Sequence, residues 1–417
     1  MATAQPSPRL TLLLYRTLLW LLTPYLRWRF TREGKHFNDP HFARQRCGSH
    51  HPEFRDGTLW LHAASVGEVN ALLPLIEALH TEHPELPLLL TSNTASSGAV
   101  ARERLPAGVT HAYLPFDWPA AMHRFLAHVR PRVGVIMETE LWPNLYGQCA
   151  HEGVPLLIIN GRISQKTLGA PRWLKPLYRG CLQQTTQVLA RSELDRERFL
   201  RLGANPATTR VIGNIKVAAL NRTSPPPIEL GREYLLAAST RDGEERLVVE
   251  AWQQSGREEL LVIAPRHIQR LETILTELAP FGLNVAVRSR GDAIGDETQL
   301  YIADTFGELG GFIAGARLVF MGGSLVAMGG HNILEPAAMG KAVVTGPHME
   351  NFLDESRVLR EGGGLLQVAS VGELATTLAQ LLGEPASCDT LGERAREVMA
   401  KQADVVERYL EALNPYL

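Results

Sequence analysis

Residues 320–352 read FMGGSLVAMGGHNILEPAAMGKAVVTGPHMENF. A hydrophobic strand, Leu318–Met321, runs into a glycine-dense loop. A short helix follows with a carboxylate, Glu335, in its first turn; it stops at Gly340, and a second strand, Ala342–Thr345, takes over. Strand, glycine loop and helix start form the layout that offers unpaired backbone N–H groups to an anion. A carboxylate just inside such a helix suits the two neighbouring hydroxyls of a ribose, because it accepts both hydrogen bonds. The stretch reads as a nucleotide-sugar site.

On the N-terminal side, strands are expected at Leu59–Ala63, Pro87–Thr91, His111–Leu114, Val133–Met137, Pro155–Asn160, Val188–Ala190 and Thr209–Gly213. Each is a short apolar run bounded by Gly, Pro or polar turn residues, with helical spacing between. The stretch Asn221–Pro227, NRTSPPP, breaks this order. Three consecutive prolines fit neither a helix nor a central strand, so it reads as a linker. Alternation then resumes at Glu233–Ala237, Leu260–Ala264, Asn284–Ala286 and Leu300–Ile302. A chain of 417 residues exceeds what one core usually supports. The expected fold is therefore α/β: two Rossmann-like, doubly wound domains facing a central cleft that would hold the ligand. The boundaries are 1–35 for an N-terminal helix, 36–220, a linker at 221–228, and 229–417. The charged tail from Leu391 has helical spacing and is expected to pack back on the first domain.

Hydrophobic residues at 45% and charged residues at 21% describe a globular protein. A net charge of −2 argues against a nucleic-acid binder. Cys47, Cys149, Cys181 and Cys388 are far apart and form no CxxC pair, which argues against a disulfide framework or a zinc site. No local pattern points to a metal. Leu10–Leu26, LTLLLYRTLLWLLTPYL, is apolar but short of the about 20 residues that a full span wants. It has no small-residue cleavage site. Arg27, Arg29, Arg32 and Lys35 follow, interleaved with Tyr25, Trp28 and Phe30 as at a lipid interface. The segment reads as a short membrane anchor or an in-plane amphipathic helix, with the globular body in the cytoplasm; a buried helix of the first domain is the alternative.

Glu68 lies in WLHAASVGEVNA, where a strand, a small-residue turn and a helix start meet. It can take a proton from an acceptor hydroxyl, or simply offset the helix dipole. Glu138 and Glu140 end the strand of VGVIMETELWPN, at the ligand edge of a parallel sheet. They read equally as site residues or as a structural ion pair. Arg162, in NGRIS, can meet a substrate carboxylate or a neighbouring acid. Lys216, in GNIK, can neutralise charge on a leaving phosphate or sit solvated beside the linker. In the second half, Ser239, Thr240 and Arg241 follow one strand, Arg266 and His267 end another, and Gly307, Glu308 and Leu309 open a helix. Five donor-rich loops at one sheet edge favour a ligand over coincidence.

Together SVGEVNA, ETELWPN, NGRIS, GNIK, APRH, GEL, GGHNILEPAAMGK and GPHMENF resemble the 3-deoxy-D-manno-octulosonic acid (Kdo) transferases of lipopolysaccharide assembly. They run in the family's order from Trp60 to about Phe352. The resemblance implies a GT-B fold, with an acceptor-binding first domain and a CMP-sugar-binding second domain. It implies inverting transfer of Kdo from CMP-Kdo to a lipid A precursor, lipid IVA, at the cytoplasmic face of the inner membrane. By matching motifs, Glu68 corresponds to the catalytic base, and Glu138 and Lys216 to residues that stabilise the transition state. The CMP contacts map onto Arg266, His267, Gly307, Glu308, Leu309, Asn332, Ile333, Leu334 and Glu335. No cofactor or metal is expected, since cytidylate is already a stable anion. The rival readings are a nucleotide-sugar 2-epimerase of related two-domain fold and a non-catalytic sugar-nucleotide binder at the membrane.

Overall fold

The computed structural model describes residues 8–52, 54–220, 225–401 and 404–417. Residues 221–224 of the expected linker and 1–7 of the expected N-terminal segment lie outside the described residues. The chain divides into two compact units, Met1–Ala219 with Asp404–Leu417, and Leu220–Ala403.

Unit 1 holds β1 (Leu59–Ala63), β2 (Leu88–Ser92), β3 (Thr110–Tyr113), β4 (Val133–Met137), β5 (Leu156–Gly161), β6 (Gln187–Ala190) and β7 (Thr209–Val211). They form one parallel sheet in the order β3-β2-β1-β4-β5-β6-β7. Strand side chains alternate between faces, and both faces are covered. Leu59, Leu61, Val133, Val135, Leu157 and Ile159 join one core cluster, whereas Trp60, Ile136 and Leu156 join another. Sequence β1→β2 winds one way and β1→β4 the other, so the switch point lies between the ends of β1 and β4.

Unit 2 holds β8 (Tyr234–Thr240), β9 (Leu260–Pro265), β10 (Val285–Val287), β11 (Leu300–Ile302), β12 (Leu318–Met321), β13 (Ala342–Thr345) and β14 (Leu366–Gln367). This sheet is also parallel, in the order β10-β11-β9-β8-β12-β13-β14. Its switch point lies between β8 and β12. There the two backbones nearly touch: a Cβ at Gly322 would stand 2.7 Å from Ser239 O and from Thr240 Cα.

The N-terminal helix, Pro8–His36, docks by a narrow stripe of Leu19, Leu26 and Phe30. Phe30 packs edge-on against Phe42, and the Arg46 guanidinium lies 5.0 Å from the Phe30 ring centre. Tyr15 donates its hydroxyl to Asp117 at 2.9 Å, and Arg16 donates to Asn144 at 2.7 Å. Asp117 also accepts the backbone N–H groups of Asn144 and Leu145, at the start of helix Pro143–His151. One buried carboxylate thus ties the N-terminal helix to the turn that follows β4. The opposite side of the helix exposes Leu13, Trp20, Leu21, Tyr25 and Trp28. Among the described residues no helix is long and apolar enough to cross a membrane.

The helix Val405–Leu413 belongs to unit 1, where Val405, Tyr409, Leu410 and Leu413 enter the core beside Leu72 and Ile76. Tyr409 donates its hydroxyl to Gly213 O at 2.8 Å and accepts Asn160 N–H at 3.0 Å. A buried N–H that loses its acceptor costs about 1–3 kcal/mol. Tyr409→Phe is therefore expected to destabilise unit 1 by about that amount, read as a lower urea midpoint; an unchanged midpoint would show that the hydroxyl holds nothing.

Candidate functional site

At the unit 1 switch point the sequence-predicted carboxylates come together. Ser65 caps helix Val66–Glu82, and Glu68 reaches back from its first turn. Glu68 accepts Ala64 N–H at 2.9 Å and the Ser65 hydroxyl at 2.8 Å. Dipole-offsetting cap and candidate base are thus the same side chain. Burial pushes the Glu68 carboxyl up, and Glu138 adds to the rise; Ala64 N–H, Ser65 and the Lys216 charge pull the other way.

β4 ends at Met137, so Glu138 and Glu140 both lie in the turn beyond it. Glu138 has φ of 58°, a left-handed conformation that side chains other than glycine avoid. Its backbone N–H still donates to Ile159 O at 2.9 Å, and its Oε1 accepts Lys216 Nζ at 2.7 Å. Asn160, at φ of 49°, sits in a register shift of β5 against β6. Its side chain accepts Ile215 N–H at 3.1 Å, and Asn214 accepts the Lys216 N–H at 3.1 Å. These bonds fix the GNIK loop so that Lys216, opening helix Lys216–Leu220, faces Glu138.

Glu140 completes the trio. Its Oε2 accepts Trp142 Nε1 at 2.7 Å, with Asn93 Nδ2 at 3.5 Å. Burial, then neighbouring Glu68, push its carboxyl up to about 7. Asn93 also accepts from Arg46 at 2.8 Å, which links this turn to the buried guanidinium under the N-terminal helix. Arg162 is half-buried near the end of β5. Ser164, which ends the NGRIS run, caps the short helix Gln165–Leu168.

In unit 2 the glycine loop corrects one expectation. The N–H groups of Gly323, Ser324 and Leu325 do not await an anion from outside. They donate to the buried Glu244 carboxylate at 2.6, 3.0 and 2.9 Å, and Arg241 N–H joins them at 3.1 Å. Positive charge near the loop comes from side chains instead. Arg241 Nε donates to His331 Nε2 at 3.0 Å, and Arg241 Nη1 lies 3.5 Å from His267 Nε2. Burial lowers His331 to about 4, helped by Arg241, Arg266 and His267. Arg266 and His267 are exposed after β9.

Gly307, Glu308 and Leu309 lead into helix Leu309–Gly315, with Glu308 at the cap position. The Glu308 carboxylate is taken by Arg288, at 2.7 and 3.2 Å, and by the Thr305 hydroxyl. Asn332 accepts Leu334 N–H at 3.2 Å, and Ile333 and Leu334 are buried. Glu335, in helix Leu334–Ala338, is raised by burial, and its Oε1 would lie 3.3 Å from a Cβ at Gly310. Thus Gly310, next to the 307–309 segment, and Glu335 are neighbours, although about 25 residues separate them. Sequence reading did not single out Tyr409 or Glu244. Tyr409 sits in a tail whose helical spacing was visible, but nothing local marked its hydroxyl. Glu244 has the sequence context of an ordinary helix-start acid.

Two parallel α/β units with polar side chains at their switch points define the structural class. Solved structures of this fold include a glycosyltransferase from Rickettsia africae ESF-5, with a TM-score of 0.62 and 13% identity, covering 87% of this chain and 98% of that one. UDP-GlcNAc 2-epimerase from Neisseria meningitidis, solved with UDP-GlcNAc, gives 0.60 and 11%, covering 85% of this chain and 100% of that one. Such identities speak to the fold alone. The sequence goes further. A family model described as 3-deoxy-D-manno-octulosonic-acid transferase (kdotransferase) matches residues 41–219. The 3-deoxy-D-manno-octulosonic acid transferase of Bordetella pertussis is 34% identical over 390 residues, 89% of this chain and 90% of that one. The chain belongs to the Kdo transferase family.

The Glu244 clamp can be tested without any ligand. Hydrogen bonds to a charged acceptor contribute about 1.5–3 kcal/mol each. Glu244→Ala is expected to speed amide exchange at Gly323, Ser324 and Leu325 by about tenfold or more. Unaltered exchange at all three would mean that the loop is held by something else.

Proposed function

We propose that the protein is an inverting glycosyltransferase that moves Kdo from CMP-Kdo to a lipid A precursor, lipid IVA, in lipopolysaccharide assembly. One observation carries the reading for a chain of this family: a half-buried Glu68 carboxylate at the unit 1 switch point, with the Glu138–Lys216 ion pair nearby. The acceptor alcohol is a weak nucleophile at neutral pH and needs a positioned base. Glu68 removes its proton as the alcohol oxygen bonds to the anomeric carbon of Kdo. The bond from that carbon to the cytidylate phosphate oxygen breaks, and the electron pair leaves with CMP. Attack opposite to the leaving group inverts the centre.

Glu138 and Lys216 stabilise the charge that builds in this step, Lys216 as the cation and Glu138 as the group that aims it. Unit 2 binds the donor. Arg241 and Arg266 supply the positive charge for its anionic groups, with the His267 and His331 rings beside them. The Glu335 carboxylate has no hydrogen-bond partner among the described residues, so both of its oxygens can accept ribose hydroxyls. In this reading the reaction calls on no metal or cofactor, because cytidylate leaves as a stable phosphate anion.

Glu68→Ala is expected to lower kcat by about a hundredfold or more while CMP affinity stays unchanged. Transfer at the wild-type rate in that variant would overturn the assignment.

We further propose that the N-terminal helix lies in the plane of the inner membrane, at its cytoplasmic face. Leu13, Trp20 and Leu21 are 61%, 72% and 63% exposed, far more than a helix facing water alone requires. Arg27, Arg29, Arg32 and Lys35 on the same helix suit anionic headgroups. Burying a leucine or larger side chain contributes about 1.5–3 kcal/mol. Trp20→Glu combined with Leu21→Glu should therefore weaken binding to anionic vesicles by about tenfold or more. Wild-type co-sedimentation of the double variant would point to another attachment surface.

A further inference from the structure

Beside the unit 1 carboxylates lies a pocket of about 260 Å³ that no step of the transfer reaction uses. Its walls come from the N-terminal helix at Tyr15, the turn after β4 at Glu140 and Trp142, and the segment carrying Leu174, Leu177 and Tyr178. Sites that enclose a whole small ligand measure about 300–1,000 Å³, so this one suits a segment of a larger molecule.

The chemistry of the lining is lopsided. Leu141, Leu174 and Leu177, with the rings of Tyr15, Trp142 and Tyr178, offer hydrocarbon contact. Glu140 offers a single acceptor: its Oε2 is pinned by Trp142, whereas its Oε1 has no hydrogen-bond partner among the described residues. A carboxylate oxygen in such surroundings gains from a donor supplied by a ligand. Burial and then the neighbouring Glu68 charge raise the affinity of Glu140 for protons.

Two further features fix what that molecule is. β4 pairs with β1, so the turn bearing Glu140 neighbours the turn that leads to Glu68. A substrate whose alcohol meets Glu68 has its flank near this pocket. On the N-terminal helix, Tyr15 shares a stripe with Leu18 and Leu22, which are 44% and 41% exposed. The pocket is therefore continuous with the apolar side of that helix.

We propose that this pocket is an acceptor subsite, seating a run of methylenes from one acyl chain of the glycolipid while Glu140 Oε1 accepts a hydrogen bond from a hydroxyl or amide N–H beside that chain. The inference rests on the Kdo-transfer reading and adds to it the means by which the enzyme recognises an acylated acceptor. Each methylene seated in the pocket contributes about fourfold in affinity. Glu140 is here a positioning residue: its loss weakens the hold on the acceptor rather than the bond-making step.

The experiment uses the full chain in mixed micelles of fixed composition, with CMP-Kdo and synthetic glycolipid acceptors that differ only in acyl length. For the wild type, acceptor KM should rise as chains shorten. Leu174→Trp, which fills the pocket, should flatten that dependence by about tenfold across the series, with the KM for CMP-Kdo unchanged. Leu177→Ala, which enlarges the pocket, should shift the preference toward longer or bulkier chains. Glu140→Gln should raise acceptor KM more than it lowers kcat. Circular dichroism and thermal melting establish that each variant is folded, and the two leucine variants alter the pocket in opposite senses. If folded Leu174→Trp and Leu177→Ala both keep the wild-type dependence on chain length, the subsite is refuted. A wild-type enzyme that transfers no Kdo at all would instead defeat the underlying functional reading.

Discussion

The contact between Glu138 Oε1 and Lys216 Nζ, 2.7 Å apart, organises the chemistry of unit 1. It joins the turn after β4 to a loop that arrives some eighty residues later. The backbone at Glu138 adopts a left-handed conformation to make it, which costs about 1–2 kcal/mol. Asn160 bears a similar strain one strand away. Both are held by bonds from outside their own segments: Lys216 donates to Glu138, while the Tyr409 hydroxyl accepts Asn160 N–H and donates to Gly213 O, and the Asn160 side chain accepts Ile215 N–H. Strain of this kind persists only where neighbours over-determine it. Its consequence is electrostatic. Glu138 raises Glu68 while Lys216 lowers it, so the candidate base stands beside a nearly balanced pair instead of a lone charge.

Unit 2 solves a comparable problem with a different carboxylate. Glu244 is fully buried, and its oxygens collect the N–H groups of the glycine turn. A loop that could have cradled a phosphate with its backbone is thereby made rigid from within. In the donor-binding role proposed for unit 2, the work of meeting an anion falls to Arg241 and Arg266. Guanidinium groups in a forked geometry suit that work, since they match phosphate and carboxylate oxygens two at a time. Glu308 too is committed within the unit: its carboxylate accepts from Arg288, and it makes no side-chain cap bond to the helix it opens.

Much of this could be read from residues alone. Strands of three to six mostly apolar residues between Gly, Pro and polar turns were legible, and Leu59–Ala63, Val133–Met137, Leu300–Ile302, Leu318–Met321 and Ala342–Thr345 have the expected bounds. β14, Leu366–Gln367, was not, because two partly exposed residues on a sheet edge carry no periodic signal. Glu68, Glu138 and Lys216 were legible as candidates from their places at strand and loop ends, but their catalytic roles rested on the family resemblance. Their mutual geometry was not, since it depends on Tyr409 at the far end of the chain. The glycine turn misled for a physical reason: its composition reports only that N–H groups are presented, not which acceptor receives them. The N-terminal helix was ambiguous because leucines alone do not distinguish a core from a bilayer. Only the fold shows that Leu19, Leu26 and Phe30 are covered while Trp20 and Leu21 are not.

The most direct test is a mass balance. The purified full chain is incubated with CMP-Kdo and lipid IVA, and CMP release is followed alongside the mass and anomeric configuration of the glycolipid. The account predicts one CMP released for each Kdo gained by the lipid, with the new linkage inverted relative to the donor. CMP-Kdo that is left intact, or that is hydrolysed while the lipid gains no sugar, would contradict it.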